Sequence, residues 1–202
     1  MIIDFLANFV TNVISHLGYA GVFFLMALES ACIPIPSEFI MPFSGFLVTT
    51  GQFNFTMIVV LGALGNLVGS YLAYWVGYVG GRPLIEKYGK YILLSQHDLD
   101  ASDRYFKKYG DSTVLFTRLM PVIRTFISLP AGISKMNPWK FGIYTLIGVI
   151  PFTAALAYAG VVLRQNWAGL QPYFHKFDLV ILLLVVLALV WYVFRHLKKR
   201  KI

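Results

Sequence analysis

Two short charged segments lie inside long apolar sequence, and they constrain the fold of this chain more than any other feature. The first runs from Glu29 to Glu38 and is acidic at both ends, and the second runs from Arg118 to Arg124 and is basic at both ends. A lone charged side chain at the centre of a bilayer costs roughly 3 kcal/mol on insertion scales, so four unpaired charges would cost on the order of 10 kcal/mol. Because the two segments carry opposite charges, we expect them to meet and pair.

Prolines interrupt helical structure in both segments. Pro34 and Pro36 lie in the acidic segment and Pro121 lies in the basic one. Each proline removes a backbone donor and pushes the preceding residue out of the helical region. Broken backbone at membrane depth is tolerated only inside protein or beside a water-filled cavity. The sequence therefore predicts two re-entrant hairpins, 18–50 and 111–134, whose tips face a shared polar site.

Composition agrees with a membrane location. The 202 residues are 58% hydrophobic and 13% charged, and the mean hydropathy is +0.70. The net charge of +8 comes from basic residues that cluster at the ends of apolar stretches, which favours membrane topology over nucleic-acid binding. The length fits a single domain, and no stretch has the composition of a linker. We predict an all-α, polytopic membrane protein of one domain.

Around the hairpins, the pattern predicts an interfacial helix, a surface segment and about three full transmembrane helices. These are an interfacial helix at 1–17, transmembrane helices at 56–80, 139–163 and 178–197, and a cytoplasmic amphipathic segment at 84–110. In the first transmembrane helix, small residues recur every four positions at Gly65, Gly69, Ala73 and Gly77. Such a stripe predicts the close approach of another helix.

An internal repeat and the charge distribution predict the topology. Three residues recur 83 positions later, namely Asn54 as Asn137, Gly65 as Gly148, and Gly77 as Gly160. Residues 82–111 carry six Lys or Arg and the C-terminal tail carries five. The positive-inside rule therefore places both in the cytoplasm, so the second hairpin enters from the cytoplasm and the first from outside. We expect two hairpins of opposite orientation.

These motifs resemble those of the bacterial DedA proteins, which are related to the eukaryotic SNARE-associated Golgi or VTT-domain proteins. The resemblance covers most of residues 18–165. It rests above all on Glu29, on the Pro-x-Pro-x-Glu element that ends at Glu38, and on the Arg-x-x-Pro-x-x-Arg element from Arg118 to Arg124. One departure is Asn66, where many members carry an acidic residue, because an amide side chain cannot titrate.

The resemblance implies a transporter or flippase of a phosphate-bearing lipid in the bacterial cytoplasmic membrane, with links to the proton motive force. The lipid would be undecaprenyl phosphate or a phospholipid such as phosphatidylethanolamine. Arginine forks suit phosphate oxygens, which favours an anionic headgroup. The predicted substrate-binding residues are Arg118, Arg124, Glu29, Glu38, Pro36 and Pro121. The two glutamates are also predicted to exchange protons and to compete with phosphate for the arginines.

Other classes of function remain open. The four histidines lie away from the charged segments, and the chain contains no H-E-x-x-H, metal-ligand spacing or P-loop, so no catalytic residue, metal or cofactor is predicted. A membrane-embedded lipid-phosphate enzyme is one alternative, because Glu and Arg alone support acid and base chemistry on a phosphate. A proton-coupled cation antiporter is another, and it would need the glutamates but not the arginines. A third alternative is that the four charged residues form only a structural ion-pair network. The sequence leaves the oligomeric state open, a homo-oligomer included.

Overall fold

The structure is a computed structural model, and it describes residues 2–33, 35–88, 112–118 and 123–163. Every regular element in these ranges is a helix. The helices are α1 Ile2–Leu17, α2 Tyr19–Ser30, α3 Ser37–Thr49, α4 Phe55–Tyr88, α5 Ser112–Arg118, α6 Ile123–Phe126, α7 Ser128–Ile133 and α8 Pro138–Leu163. Several predictions fall outside the described residues: the predicted third transmembrane helix at 178–197, most of the surface segment at 84–110, and the conformations of Pro34 and Pro121.

Helix α1 is amphipathic, as its sequence predicts. Val10 and Ile14 are buried on one face, whereas Asn12 on the opposite side is exposed. The carbonyl of Val13 lies directly against Gly21, so α1 packs closely on the start of α2. The location of this helix at a membrane interface stays a prediction.

The helical structure is interrupted between α2 and α3, in the segment that contains the first prolines. Cys32 has a φ of 68°, a left-handed conformation that is uncommon for a residue with a β-carbon. Pro36 is the N-cap of α3 with a φ of −72°, close to the value that its ring imposes. The chain is therefore broken where the prolines predict a break. The depth to which this helix pair enters a membrane stays a prediction.

Two helices among the described residues are long and apolar enough to cross a membrane. They are Phe55–Gly81, which is most of α4, and Pro138–Leu163, which is α8. Both agree closely with the predicted helices at 56–80 and 139–163. At Gly81, the φ of 54° and ψ of −156° are not helical, so the straight part of α4 ends there.

The stripe of small residues on α4 has the predicted effect. Gly65 lies against the carbonyl of Phe23, and Gly69 lies against the carbonyl of Ala27. Both carbonyls belong to α2, so a β-carbon at either glycine would collide with backbone. Close approach of a second helix to this stripe is confirmed.

The 83-residue repeat is visible in the caps of the two long helices. The side-chain Oδ1 of Asn54 accepts a hydrogen bond from the backbone N–H of Met57 at 3.2 Å. Oδ1 of Asn137 accepts one from the N–H of Trp139 at 2.9 Å. Asparagine is among the strongest N-cap residues, which explains why both long helices begin directly after it.

Glycine contacts further along α4 and α8 are reciprocal. Gly77 of α4 lies against the carbonyl of Leu129 in α7, which follows the second break. Gly160 of α8 lies against the carbonyl of Pro42 in α3, which follows the first break. The two glycines are 83 positions apart and the two carbonyl residues are 87 positions apart. Each of the two long helices thus packs, through a glycine, against a helix from the other half of the chain.

Candidate functional site

The two charged segments meet at a buried ion pair. Nη2 of Arg124 donates a hydrogen bond to Oε1 of Glu29 at 2.5 Å, and the same nitrogen contacts Oγ of Ser37. Arg124 is 1% exposed and Glu29 is 6% exposed. The expectation that opposite charges from the two segments pair is confirmed for these residues.

The helix ends on either side of the breaks position these groups. Glu29 lies in the last turn of α2, Ser37 is the first residue of α3, and Arg124 lies in α6, just after the second break. Because Pro36 has no N–H, the N–H of Ser37 is the first donor at the start of α3, and it points to Oε1 of Glu29 at 3.4 Å. The carboxylate therefore lies at the positive end of the α3 dipole as well as beside the guanidinium.

Arg118 is buried but has a different set of partners. Its Nη1 donates to the backbone carbonyl of Arg124 at 2.8 Å, and its Nη2 donates to Oγ of Ser128 at 2.8 Å. Its Cβ packs against Gly148 of α8. Among the described residues, its hydrogen-bond partners belong to α6 and α7, and neither of them is a glutamate.

The remaining predicted site residues are placed less centrally. Glu38 lies in the first turn of α3 and its side chain is exposed, and Pro36 is half-buried. Pro121 lies outside the described residues. Close by, Sγ of Cys32 lies 3.9 Å from the carbonyl of Thr125. The segment between α2 and α3 thus contacts α6 through this thiol as well as through charge.

Aromatic rings of α8 line the arginines. The Cζ atom of Arg124 lies 4.1 Å from the centroid of the Phe152 ring, and Cζ of Arg118 lies 5.6 Å from that of Phe141. A guanidinium over an aromatic face gains a cation–π interaction that strengthens away from water. Phe152, Ser37 and Ser128 are not among the site residues predicted from the sequence. Only Ser37 carried a signal, since it lies between Pro36 and Glu38 in the first break.

Several polar atoms in this buried cluster have no hydrogen-bond partner among the described residues. They are Nε and Nη1 of Arg124, Nε of Arg118 and Oε2 of Glu29. Buried polar groups are nearly always paired in folded proteins, so each exception calls for an explanation. Three of these four atoms are guanidinium donors, and a ligand with several acceptor oxygens would satisfy them.

A known protein family covers most of the residues of this site. The VTT domain matches residues 35–162, which contain Ser37, Glu38, both arginines and both long helices. The chain belongs to the DedA family of VTT-domain membrane proteins. The resemblance drawn from the two charged elements is thereby confirmed. No solved structure matches the chain.

Full-length relatives of this DedA-family chain carry different names. It is 37% identical to the uncharacterized membrane protein YkoX of Bacillus subtilis, over 91% of the chain and 82% of the relative. It is 34% identical to undecaprenyl phosphate transporter A of the same organism, over 89% of the chain and 88% of the relative. It is 30% identical to an alkaline phosphatase-like protein of Lactococcus lactis, over 95% of the chain and 92% of the relative. The DedA-family chain is therefore a bacterial membrane protein, and its long apolar helices fit that class.

Proposed function

We propose that this chain is a transporter that moves a phosphate-bearing lipid across the bacterial cytoplasmic membrane. The lipid would be undecaprenyl phosphate or a phospholipid such as phosphatidylethanolamine. The observation that carries the proposal is the buried Arg124, which pairs with Glu29 of the acidic segment and has two donor nitrogens without a hydrogen-bond partner among the described residues. A name among the relatives, undecaprenyl phosphate transporter A, supports the same class of cargo.

In this proposal, the arginines bind the headgroup and the hydrocarbon chain stays in lipid. A guanidinium makes short, charge-assisted hydrogen bonds to phosphate oxygens, which are roughly twice as strong as neutral ones. The outward faces of the long helices carry large apolar side chains, for example Leu72 and Ile143, which are 57% and 55% exposed. A prenyl or acyl chain would contact such surfaces while its headgroup crosses beside the breaks.

The glutamates would return the site to its starting state. When ionised, Glu29 holds Arg124 and competes with phosphate, and when protonated it releases the guanidinium. Glu38, which is exposed on the first turn of α3, would exchange protons with the solvent. Translocation would thus draw on the proton gradient if Glu29 takes up its proton from one side of the membrane and releases it to the other.

A lipid-phosphate enzyme is the second candidate, because one relative is named an alkaline phosphatase-like protein. Among the described residues, no group of three or more His, Cys, Asp and Glu side chains is arranged to hold a metal ion. In such an enzyme, the arginines and glutamates of the two charged segments would contribute acid and base chemistry on the phosphate. Release of inorganic phosphate from a lipid phosphate distinguishes this candidate from a transporter.

The test is a translocation assay with purified protein in liposomes. We expect the protein to carry a fluorescent polyprenyl phosphate between leaflets and to leave the corresponding polyprenyl alcohol in place, since only the phosphate engages the arginines. Arg118→Lys should slow transport despite keeping the charge, because an ammonium cannot span the carbonyl of Arg124 and the hydroxyl of Ser128 together. Equal transport of the alcohol would refute the phosphate site, and release of inorganic phosphate would favour the enzyme.

Sidedness provides an independent test of the inverted arrangement. In a Cys32→Ser background, single cysteines at Gln96 and Ile202 should react with a membrane-impermeant maleimide only from the cytoplasm, and a cysteine at Gln52 only from outside. The expectation follows from the basic residues of 82–111 and of the C-terminal tail. Labelling of Gln52 and Gln96 from the same side would rule out hairpins of opposite orientation.

A further inference from the structure

The Glu29 carboxylate lies among hydrogen-bond donors that suit an anion. It accepts a hydrogen bond from Nη2 of Arg124 at 2.5 Å and lies 3.4 Å from the N–H that begins α3, that of Ser37. The Ser37 hydroxyl completes the same cluster through its contact with Arg124. A guanidinium, a free N–H at a helix start and a hydroxyl are the donors that bind phosphate oxygens in proteins.

We infer that Glu29 is an internal stand-in for the headgroup, which masks a phosphate site formed by Arg124 and Ser37 until the lipid displaces it. This inference rests on the proposed function and deepens it by separating the roles of the two arginines. Arg124 and Ser37 contact the phosphate, whereas Arg118 is a positioning residue that holds the carbonyl of Arg124.

The nitrogen of Arg124 that binds Glu29 explains why the carboxylate keeps a phosphate from binding. A guanidinium offers two edges that can each make paired hydrogen bonds, one formed by Nε with Nη2 and the other by Nη1 with Nη2. Both contacts of Arg124 with Glu29 and Ser37 use Nη2, the nitrogen that the two edges share. Within the described part of the chain, Nε and Nη1 have no hydrogen-bond partner. A phosphate can therefore make a two-pronged contact only after the carboxylate leaves Nη2.

The groups around Arg124 and Glu29 determine how a phosphate would replace the carboxylate. Phe152 stacks on one face of the Arg124 guanidinium at 4.1 Å, so an incoming ligand must engage its edge. Among the described residues, the charged groups that interact with Glu29 are Arg124 from α6, Arg118 from α5 and Glu38 on α3, and Arg118 also interacts with the thiol of Cys32. With Arg124 taken by phosphate, the buried Glu29 carboxylate loses its ion-pair partner, and it must then take up a proton.

The binding experiment uses the full-length protein in an uncharged detergent and dodecyl phosphate as the probe, measured by isothermal titration calorimetry. We expect Glu29→Gln to bind the probe roughly tenfold more tightly than the wild type, because the ligand no longer displaces a charge-assisted bond. In the Glu29→Gln background, Ser37→Ala should reverse much of that gain. Ser44→Ala is the matched control, since Ser44 is equally buried on α3 but donates to the carbonyl of Ile40 at 2.7 Å. Equal or weaker binding by Glu29→Gln would overturn the inference.

Proton uptake tests the inference in the wild type, even if Glu29→Gln does not fold. Titrations in buffers of different ionisation enthalpy should show uptake of about one additional proton per bound probe in the wild type. Binding without linked proton uptake in the wild type, or an absence of binding by both proteins, contradicts the masked site. If the probe binds as expected but liposomes show no translocation, then the proposed function is wrong and the masked site stands. If translocation is observed and binding is insensitive to Glu29, then the masking is wrong and the proposed function stands.

Discussion

Arg124→Gln is expected to abolish translocation of lipid phosphate and to lower the free energy of unfolding by about 3–5 kcal/mol. The structural reason is that Glu29, 6% exposed, loses the guanidinium that neutralises it. A buried charge without a partner costs far more than the pair contributes. Denaturation of the purified protein in detergent measures the stability, and the liposome assay measures transport. Lys135→Gln is the control, because it removes a cationic side chain that is exposed.

The double variant Glu29→Gln, Arg124→Gln separates architecture from function. With both charges gone, no unpaired charge stays buried, so most of the lost stability should return. Transport should not return, because the phosphate has lost its principal ligand. If the double variant transports at the wild-type rate, then this pair is only a structural ion-pair network, which was one of the alternatives left open by the sequence.

The sequence predicts that the acidic and basic segments lie together, but it does not predict which side chains pair. Burial energetics alone require that the acidic and basic segments meet, and Glu29 and Arg124 do so. The role of Arg118 could not be predicted, because it depends on tertiary contacts with the carbonyl of Arg124 and the hydroxyl of Ser128. Ser37 was missed for a related reason. A serine after a proline is an ordinary helix start, and only the tertiary contact with Arg124 gives it a chemical role.

The fold, like the site, is only partly predictable from the sequence. Hydropathy predicts both long helices, and the asparagines at their starts and the glycine at the bend of α4 define three of the four ends. The repeat at 83 positions predicts that both long helices begin after an asparagine and carry glycines at matching places. The carbonyls that meet each glycine are not predictable from one sequence, since the residues that supply them, such as Leu129 and Pro42, carry no pattern of their own.

Two glycines of α4 provide a matched test of how the site is held. A β-carbon at Gly69 would collide with the carbonyl of Ala27, which is fixed backbone of α2, whereas one at Gly62 would lie 2.9 Å from Sδ of Met41, the flexible end of a side chain. Alanine is the better helix former by about 1 kcal/mol, so helix propensity favours both substitutions equally.

We expect Gly69→Ala to lower the free energy of unfolding by about 1–3 kcal/mol, the usual cost of overpacking, and Gly62→Ala to change it by less than about 1 kcal/mol. Thermal denaturation of the two variants in the same detergent measures the difference. Because Ala27 lies two residues before Glu29, displacing α2 should also move the carboxylate from Arg124 and slow translocation in Gly69→Ala alone. Equal melting temperatures and equal transport rates for the two variants would show that the contact between α2 and α4 does not position the ion pair.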